Sequence, residues 1–419
     1  MAKLPLEGIR IIDLTMVWAG PYATRLLADM GAEVIKIESI KNYDLLRTFV
    51  FLPQGTERPY NKSAYFNHYN RNKLGATLNL GKRRGAELFK ELVKISDVVI
   101  ENYRPDVMEK LGLTYEVLRE VKPDIIMISL PGHGKTGPER DNYAYGTHVE
   151  QLSGLVSITG YRDGHIQRTG ISYGDPLAGA MAAGAVATAL HYRRVTGKGQ
   201  FIDLAQRENL TRLIGEAVMD WTMNQRMWQY TGNRHPSMVP HGCYRCQGED
   251  EWVTIAVETD RGWESLCQAL GNPSWTSDAK FADSLNRRQN QDELDRNIEE
   301  WTVLRTPYEV MHILQHTGVA AGAVMDCKAL LQDPHLNERD FWEMQTHPDA
   351  GTWKMEGPTW RLSESQAHIR MSAPCFGQHN DYLFRELLGL SDKEIEQLEK
   401  DEIIGVEPDI PKHLLQLRP

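Results

Sequence analysis

The sequence has no surplus of positive charge: 57 acidic side chains outnumber 47 basic ones, and the formal net charge is -10. A nucleic-acid binder generally displaces phosphate counterions with a basic field, so this balance argues against that class of partner. It still allows a local cluster of cations for a small anionic ligand. Cysteine is scarce. Cys243, Cys246, Cys267, Cys327 and Cys375 are an odd five in 419 residues, which fits a reducing compartment without a disulfide framework. Long apolar runs are missing as well. The longest low-polarity stretch, Leu177 to Leu190, is too short and too rich in Gly and Ala to span a bilayer. The opening Met1-Ala2-Lys3-Leu4-Pro5 has no apolar signal core, so the expected location is cytoplasmic, with no membrane partner.

Several ligand motifs are also incomplete. The first strand–turn–helix invites a dinucleotide reading, and Glu38 ends the second strand where such a fold places its ribose acid. The turn, however, offers Ala19-Gly20-Pro21-Tyr22-Ala23 instead of G-x-G-x-x-G. Thr196-Gly197-Lys198-Gly199-Gln200 lacks the upstream glycine and the Ser/Thr of a phosphate loop, which removes NTP hydrolysis. Cys243-Tyr244-Arg245-Cys246 is a lone C-x-x-C. A structural zinc needs four ligands, and His235 and His241 complete no recognised pattern, so the cysteines read as a packing pair and no metal is expected.

What is present is an ordinary globular composition, 41% hydrophobic and 25% charged, in a chain too long for one simple core. The first third alternates strand and helix: strand Ile9–Leu14, helix Tyr22–Met30, strand Val34–Ile37, helix Gly85–Ile95, strand Val98–Ile100, helix Tyr115–Val121 and strand Ile125–Leu130. That rhythm implies a parallel sheet with right-handed crossovers. A long helix follows Gly174-Asp175-Pro176, with Ala178, Ala182, Ala185 and Ala189 on one small-residue face. Strand Phe201–Leu204 and a helix over Leu210–Met223 come next. Near Asn224 the character changes to a smaller unit with a strand at Val253–Val257 and helices at Arg261–Leu270, Asp292–Val303 and Pro307–Gln315. The expected division is 1–223 for the first part of a large α/β domain, 224–333 for a small domain with linkers, and 334–419 for the return to the large one. Ser391 and Glu394 have capping-box spacing and open a last helix.

Asp175 is the carboxylate with the most chemical promise. Gly174 removes bulk before it and Pro176 suits the first position of a helix, which places Asp175 at an N-cap. Backbone N–H groups and the helix dipole there favour the ionised form. Most aspartates in that setting are caps and nothing more.

A set of segments raises it above that level. Leu6-Glu7-Gly8-Ile9-Arg10-Ile11-Ile12-Asp13-Leu14, Ala19-Gly20-Pro21, Gly31-Ala32-Glu33-Val34-Ile35-Lys36-Ile37-Glu38, Asn70-Arg71-Asn72-Lys73, Glu101-Asn102-Tyr103-Arg104-Pro105, Ser153-Gly154-Leu155, Gly174-Asp175 and Gly232-Asn233-Arg234-His235-Pro236 follow one another in order. With the stretch from Ala373-Pro374 to Leu388, they make nearly the whole chain resemble the class III CoA-transferases, the carnitine dehydratase-like CaiB/BaiF family. The resemblance implies a Rossmann-like parallel-sheet large domain built from N- and C-terminal segments, a smaller inserted α+β domain, and an interlocked dimer of identical or related chains. It places the family's nucleophile on Asp175, which attacks an acyl-CoA thioester and becomes a mixed anhydride. Coenzyme A, a substrate rather than a tightly bound cofactor, is implied along Val17, Trp18 and Ala19, near Leu78 and Asn79, and over Asn102, Tyr103 and Arg104, with Lys110 toward a phosphate. The family's cation after the second strand is Ser39 here, so Lys36, Lys73 or Lys82 is expected to take its place.

The nearest rival within the same fold, an α-methylacyl-CoA racemase, needs a His in addition to the shared Asp. Counting back from Ser153, that position is Tyr145, with His148 three residues away. A non-catalytic acyl-CoA-binding subunit would have lost the nucleophile, which is present. Trp18 replaces the small polar residue of formyl-CoA transferase. That implies a wider or more apolar acyl pocket, for a substituted or aryl dicarboxylate such as benzylsuccinate, with succinyl-CoA as donor.

Overall fold

The structure, a computed structural model, describes residues 3–50, 52, 53 and 55–415; Met1 and Ala2 of the opening segment lie outside them. It divides into two compact units. The first comprises Met1–Val156, Arg168–Arg226 and Glu338–Pro419, and the second comprises Ser157–Gln167 and Met227–Asn337. Ser157–Gln167, placed by the sequence within the 1–223 segment, therefore clusters with the second unit instead.

The first unit is built on six parallel strands: β1 (Arg10–Asp13), β2 (Glu33–Glu38), β3 (Lys73–Thr77), β4 (Val98–Glu101), β5 (Ile126–Ser129) and β6 (Phe201–Asp203). Their order is β3-β2-β1-β4-β5-β6, with Ile12 level with Ile35 on one side and Val99 on the other. The order reverses direction between β1 and β4, the point at which open α/β sheets characteristically bind ligands.

Strands buried on both faces need apolar residues at successive positions, and β1, β2, β4 and β5 supply them. Ile12, Ile35, Val99 and Met127 point to one face, against Leu88, Phe89, Leu92 and Val93 of helix Arg83–Lys94 and against Leu383, Phe384, Ile395 and Leu398 from the C-terminal segment. Ile11, Val34, Val98 and Ile126 point to the other. There they meet Ala23, Leu27 and Ala28 of helix Ala19–Asp29 and Ala182, Val186 and Ala189 of the long helix Gly174–Thr196. The predicted small-residue face of that long helix is what lets the two helices lie close. A Cβ on Gly179 would sit 2.6 Å from the Ala19 carbonyl oxygen.

Between the two layers lies charge. Asp13, at the end of β1, is fully buried; it accepts from the Thr15 N–H (2.9 Å) and the Thr15 and Thr24 hydroxyls (2.5 and 2.7 Å), and pairs with Lys73 Nζ at 3.0 Å. Lys36 of β2 pairs with Asp44 at 2.9 Å, and Glu38 pairs with Arg47 at 2.7 Å, all of them buried. Burial alone would raise the Asp13 carboxyl, but Lys73, Lys36 and the two threonine hydroxyls hold it below its ordinary value.

An antiparallel hairpin, β10 (Trp342–His347) and β11 (Gly351–Glu356), also belongs to this unit. The second unit has its own antiparallel sheet of β7 (His241–Arg245), β8 (Trp252–Ala256) and β9 (Ala320–Ala323). Its core gathers Val253, Ile255, Trp263, Leu266, Ile298 and Val310 from the sheet and from helices Asp260–Ala269, Gln291–Thr302 and Pro307–His316. Cys246 is buried in that core, and all five thiols are free. Among the described residues no helix is long and apolar enough to cross a membrane.

Removing one partner of a buried pair leaves the other charge uncompensated, whereas an exposed pair is worth little. Asp13→Ala is therefore expected to cost about 3–5 kcal/mol in denaturant unfolding. Lys94→Ala, which breaks only an exposed pair with Glu91, is expected to cost about 1 kcal/mol or less in the same measurement.

Candidate functional site

The site grows out of the turn between β1 and the Ala19–Asp29 helix. Asn102, just past β4, clamps that turn from the neighbouring strand. Its Oδ1 accepts the Met16 N–H and its Nδ2 donates to the Met16 carbonyl, both at 2.8 Å. Val17 then adopts φ 68°. A β-branched residue in the left-handed region is strained by about 1–3 kcal/mol and persists only where its surroundings impose it. Here the constraint is Asp44, whose Oδ1 accepts the Val17 N–H at 3.0 Å while its other oxygen pairs with Lys36. Lys36 in turn donates to the Thr15 carbonyl at 2.7 Å. Trp18 is the N-cap of the helix, and Ala19 begins it.

The Ala19 backbone lies on the side of the Asp175 carboxylate and favours its charged form. The sequence places Asp175 at the N-cap of the long helix with its ionised form favoured. The structure corrects both points. Tyr173 is the N-cap, Gly174 opens the helix and Asp175 lies within its first turn. Its carboxyl is pushed up to about 6 because burial strips its water and only the Ala19 backbone opposes that effect. At pH 7 about nine in ten copies are still ionised. Gly146 forms the opposite wall: a Cβ there would fall 1.9 Å from Asp175 Oδ2, so only glycine allows backbone to stand against the carboxylate. Its neighbour Tyr145 is 62% exposed, and His148 Nδ1 accepts the Tyr145 N–H at 3.3 Å, so this imidazole is occupied as a helix cap.

Of the residues singled out in the sequence, Val17, Trp18, Ala19 and Asn102 come together at this turn. Leu78, Asn79 and Tyr103 line a separate cavity of about 230 Å³ beyond the ends of β2 and β3, with Ser39 and Leu111. Arg104 and Lys110 are not part of that lining. Arg104 lies 4.1 Å over the Tyr143 ring and donates to the Asp141 carbonyl at 3.1 Å, while exposed Lys110 pairs with Asp106 one turn back on its own helix. Two of the three expected replacements for a phosphate cation do not hold. Lys36 and Lys73 are fully buried and consumed by Asp44 and Asp13, and Lys82 donates to the Asp401 carbonyl. Glu38 is likewise held by Arg47, which leaves no carboxylate oxygen for a ribose.

Three elements of this geometry went unseen in the sequence. Asp44 sits in a polar loop with nothing local to mark it, and Gly146 carries no motif. The third is an aromatic group of Trp18, Tyr22, Tyr65 and Tyr69, with Trp18 and Tyr69 ring centroids 5.4 Å apart. Burial pushes the Tyr69 hydroxyl well above its ordinary range, and the charge on Asp175 adds to that push. In the second unit, a cavity of about 330 Å³ is lined by Arg234, His241, Cys243 and Asp295 and includes none of the predicted site residues. Among the described residues no cluster of His, Cys, Asp or Glu is arranged to hold a metal ion.

Comparison with known proteins places this geometry in a family. The profile of CoA-transferase family III matches residues 6–380. Succinyl-CoA–D-citramalate CoA-transferase of Chloroflexus aurantiacus is 34% identical across 96% of this chain and 98% of its own. Formyl-CoA:oxalate CoA-transferase of Rhodopseudomonas palustris is 31% identical across 94% and 96%. The solved structure of a CaiB/BaiF family protein from Brucella suis matches with a TM-score of 0.84 at 29% identity, covering 92% of this chain and all of that one. With profile, sequence and fold in agreement over nine-tenths of its length, this chain belongs to CoA-transferase family III and is an enzyme of that class.

Proposed function

We propose that the enzyme moves coenzyme A from an acyl-CoA donor to a free carboxylic acid by way of Asp175. The observation that carries the reading is the half-buried Asp175 carboxylate, in the first turn of its helix with the Gly146 backbone set against it. An Asp175 oxygen attacks the thioester carbonyl, the C–S bond breaks, and CoA leaves as the thiolate. The thiolate then attacks the aspartyl carbonyl of the mixed anhydride, releasing the donor acid and forming an aspartyl-CoA thioester. The acceptor carboxylate attacks that thioester, giving a second anhydride and free thiolate. Attack of the thiolate on the acceptor's acyl carbon yields the new acyl-CoA and restores Asp175. A carboxylate made more basic by burial is the better nucleophile for the first of these steps.

In this reading the pantetheine and thioester follow the Val17–Trp18–Ala19 turn and Asn102. The adenine end enters the cavity of Leu78, Asn79 and Tyr103, and Arg104 and Lys110 meet phosphates after leaving their present partners. Succinyl-CoA as donor is supported by the name of the Chloroflexus relative, although the Rhodopseudomonas relative is named for formyl-CoA. The aromatic surroundings of Trp18 support an acceptor with an apolar body, a substituted or aryl dicarboxylate of the benzylsuccinate kind. An interlocked dimer, of identical or related chains in the cytoplasm, is supported by exposed Val218, Met219, Trp221 and Met223 on helix Gly215–Asn224, an apolar strip in need of cover.

Asp175→Ala is expected to lower kcat for thioester exchange about a thousandfold or more, read by mass analysis of CoA products. The raised carboxyl also fixes two pH effects. Activity requires the ionised form, so kcat/KM falls as pH drops and reaches half its plateau near pH 6 rather than near 4. A folded-state value above the unfolded 3.8 means stability is present below about pH 4 and lost as pH rises through about 6. Asp175→Asn is therefore expected to raise the unfolding free energy at pH 7.5, by up to about 3 kcal/mol, with little effect at pH 4.

A further inference from the structure

Beside the Asp175 turn lies an open cavity of about 690 Å³ within the first unit. Trp18, Tyr65 and Tyr69 form an aromatic wall, and Ile171, four residues before Asp175, contributes to the lining. Trp18 ties the cavity to the chemistry, because the next residue, Ala19, packs its carbonyl against Gly179 of the helix that carries Asp175. Tyr69 continues the wall from Trp18, with the two ring centroids 5.4 Å apart.

The charges around this cavity are unequal. Glu356 is the acid in the lining, and it is already matched: His68 Nε2 lies 2.6 Å from its Oε1, and Arg25 pairs with it at 2.9 Å from behind. Burial would raise Glu356, yet His68, Arg25 and Arg71 hold it down near about 2, so it offers no spare negative charge. Lys62 is different. It lines the same cavity, is half-buried, and has no carboxylate or other side-chain partner among the described residues. An ammonium partly withdrawn from water beside aromatic rings calls for an anion.

We propose that this cavity is the acyl site of the exchange and that Lys62 recognises a second carboxylate on the transferred acid, selecting dicarboxylic acids with an apolar body over monocarboxylic ones. The inference rests on the reading of Asp175 as acyl carrier. One carboxyl of the acid faces Asp175 for anhydride formation, the hydrocarbon or aryl body lies on Trp18, Tyr65 and Tyr69, and the far carboxylate pairs with Lys62.

The test compares matched acceptors with succinyl-CoA as donor: benzylsuccinate against 4-phenylbutanoate, which lacks only the second carboxyl, and glutarate against butanoate. The wild-type enzyme is expected to prefer the dicarboxylate in kcat/KM. In Lys62→Met that preference ratio should fall at least about tenfold, and in Lys62→Arg it should largely return. Taking the ratio cancels any general loss from imperfect folding of a variant. A wild-type enzyme indifferent to the second carboxyl, or a Lys62→Met ratio equal to wild type, overturns the assignment of Lys62 while exchange through Asp175 stands. A Lys62→Met protein that changes its oligomeric state and keeps its ratio would make the cavity a subunit contact and also overturn it. Absence of exchange with every acid would overturn the underlying reading as well.

Discussion

The ion pair between Lys36 and Asp44 is fully buried and fixes backbone to which neither residue belongs. Lys36 holds the Thr15 carbonyl and Asp44 holds the Val17 N–H, so one pair secures two points of a turn that contains a β-branched residue at positive φ. Asn102 secures a third point from across the reversal in strand order. Without these restraints Val17 would relax toward an ordinary conformation, and Ala19 would lose its place beside the Asp175 helix. The charge inside the sheet layer is thus less a source of stability than a means of imposing one geometry. Apolar replacements of similar volume are often as stable as buried pairs, but they make no hydrogen bonds to backbone.

The same frame explains how a carboxylate comes to be desolvated. Gly146 and Gly179 allow backbone, rather than side chain, to close around Asp175 and the start of its helix. Backbone brings little flexibility, and with Asp175 half-buried it leaves less room for water than an open surface would. In the proposed chemistry that exclusion serves a second purpose, since an aspartyl anhydride open to solvent would hydrolyse before an acceptor acid arrived. The cost is a fold that holds a strained turn and an under-solvated acid at one place, as functional sites commonly do.

Much of this frame is legible in the residues themselves. The runs at β1, β2, β4 and β5 are apolar enough to be read as buried parallel strands, and the Ser391–Glu394 capping box forms as its spacing implies. Strand β3 went unread because Lys73 and Gly75 break the apolar pattern. Lys73 reaches inward to Asp13, and Gly75 stands against Pro374, some three hundred residues away in sequence. The stretch read as one helix over Leu210–Met223 is two, Gln206–Thr211 and Gly215–Asn224, parted by a tighter turn at Arg212–Ile214 just before Gly215. Lysines 36 and 73 looked like candidates for a phosphate, yet they are structural cations, because only tertiary packing reveals which charges are consumed. Asp175 was found through its motif, whereas its raised carboxyl was not. Local sequence shows the helix start but not the walls that remove water.

The most direct measurement mixes the enzyme with succinyl-CoA alone, without any acceptor acid, quenches into neutral hydroxylamine and maps the digested chain by mass spectrometry. Formation of an aspartyl hydroxamate confined to the peptide carrying Asp175, in step with release of free acid, is the expected result. An unmodified Asp175 peptide under conditions in which the acceptor-complete reaction turns over, or a hydroxamate on a different side chain, would contradict it.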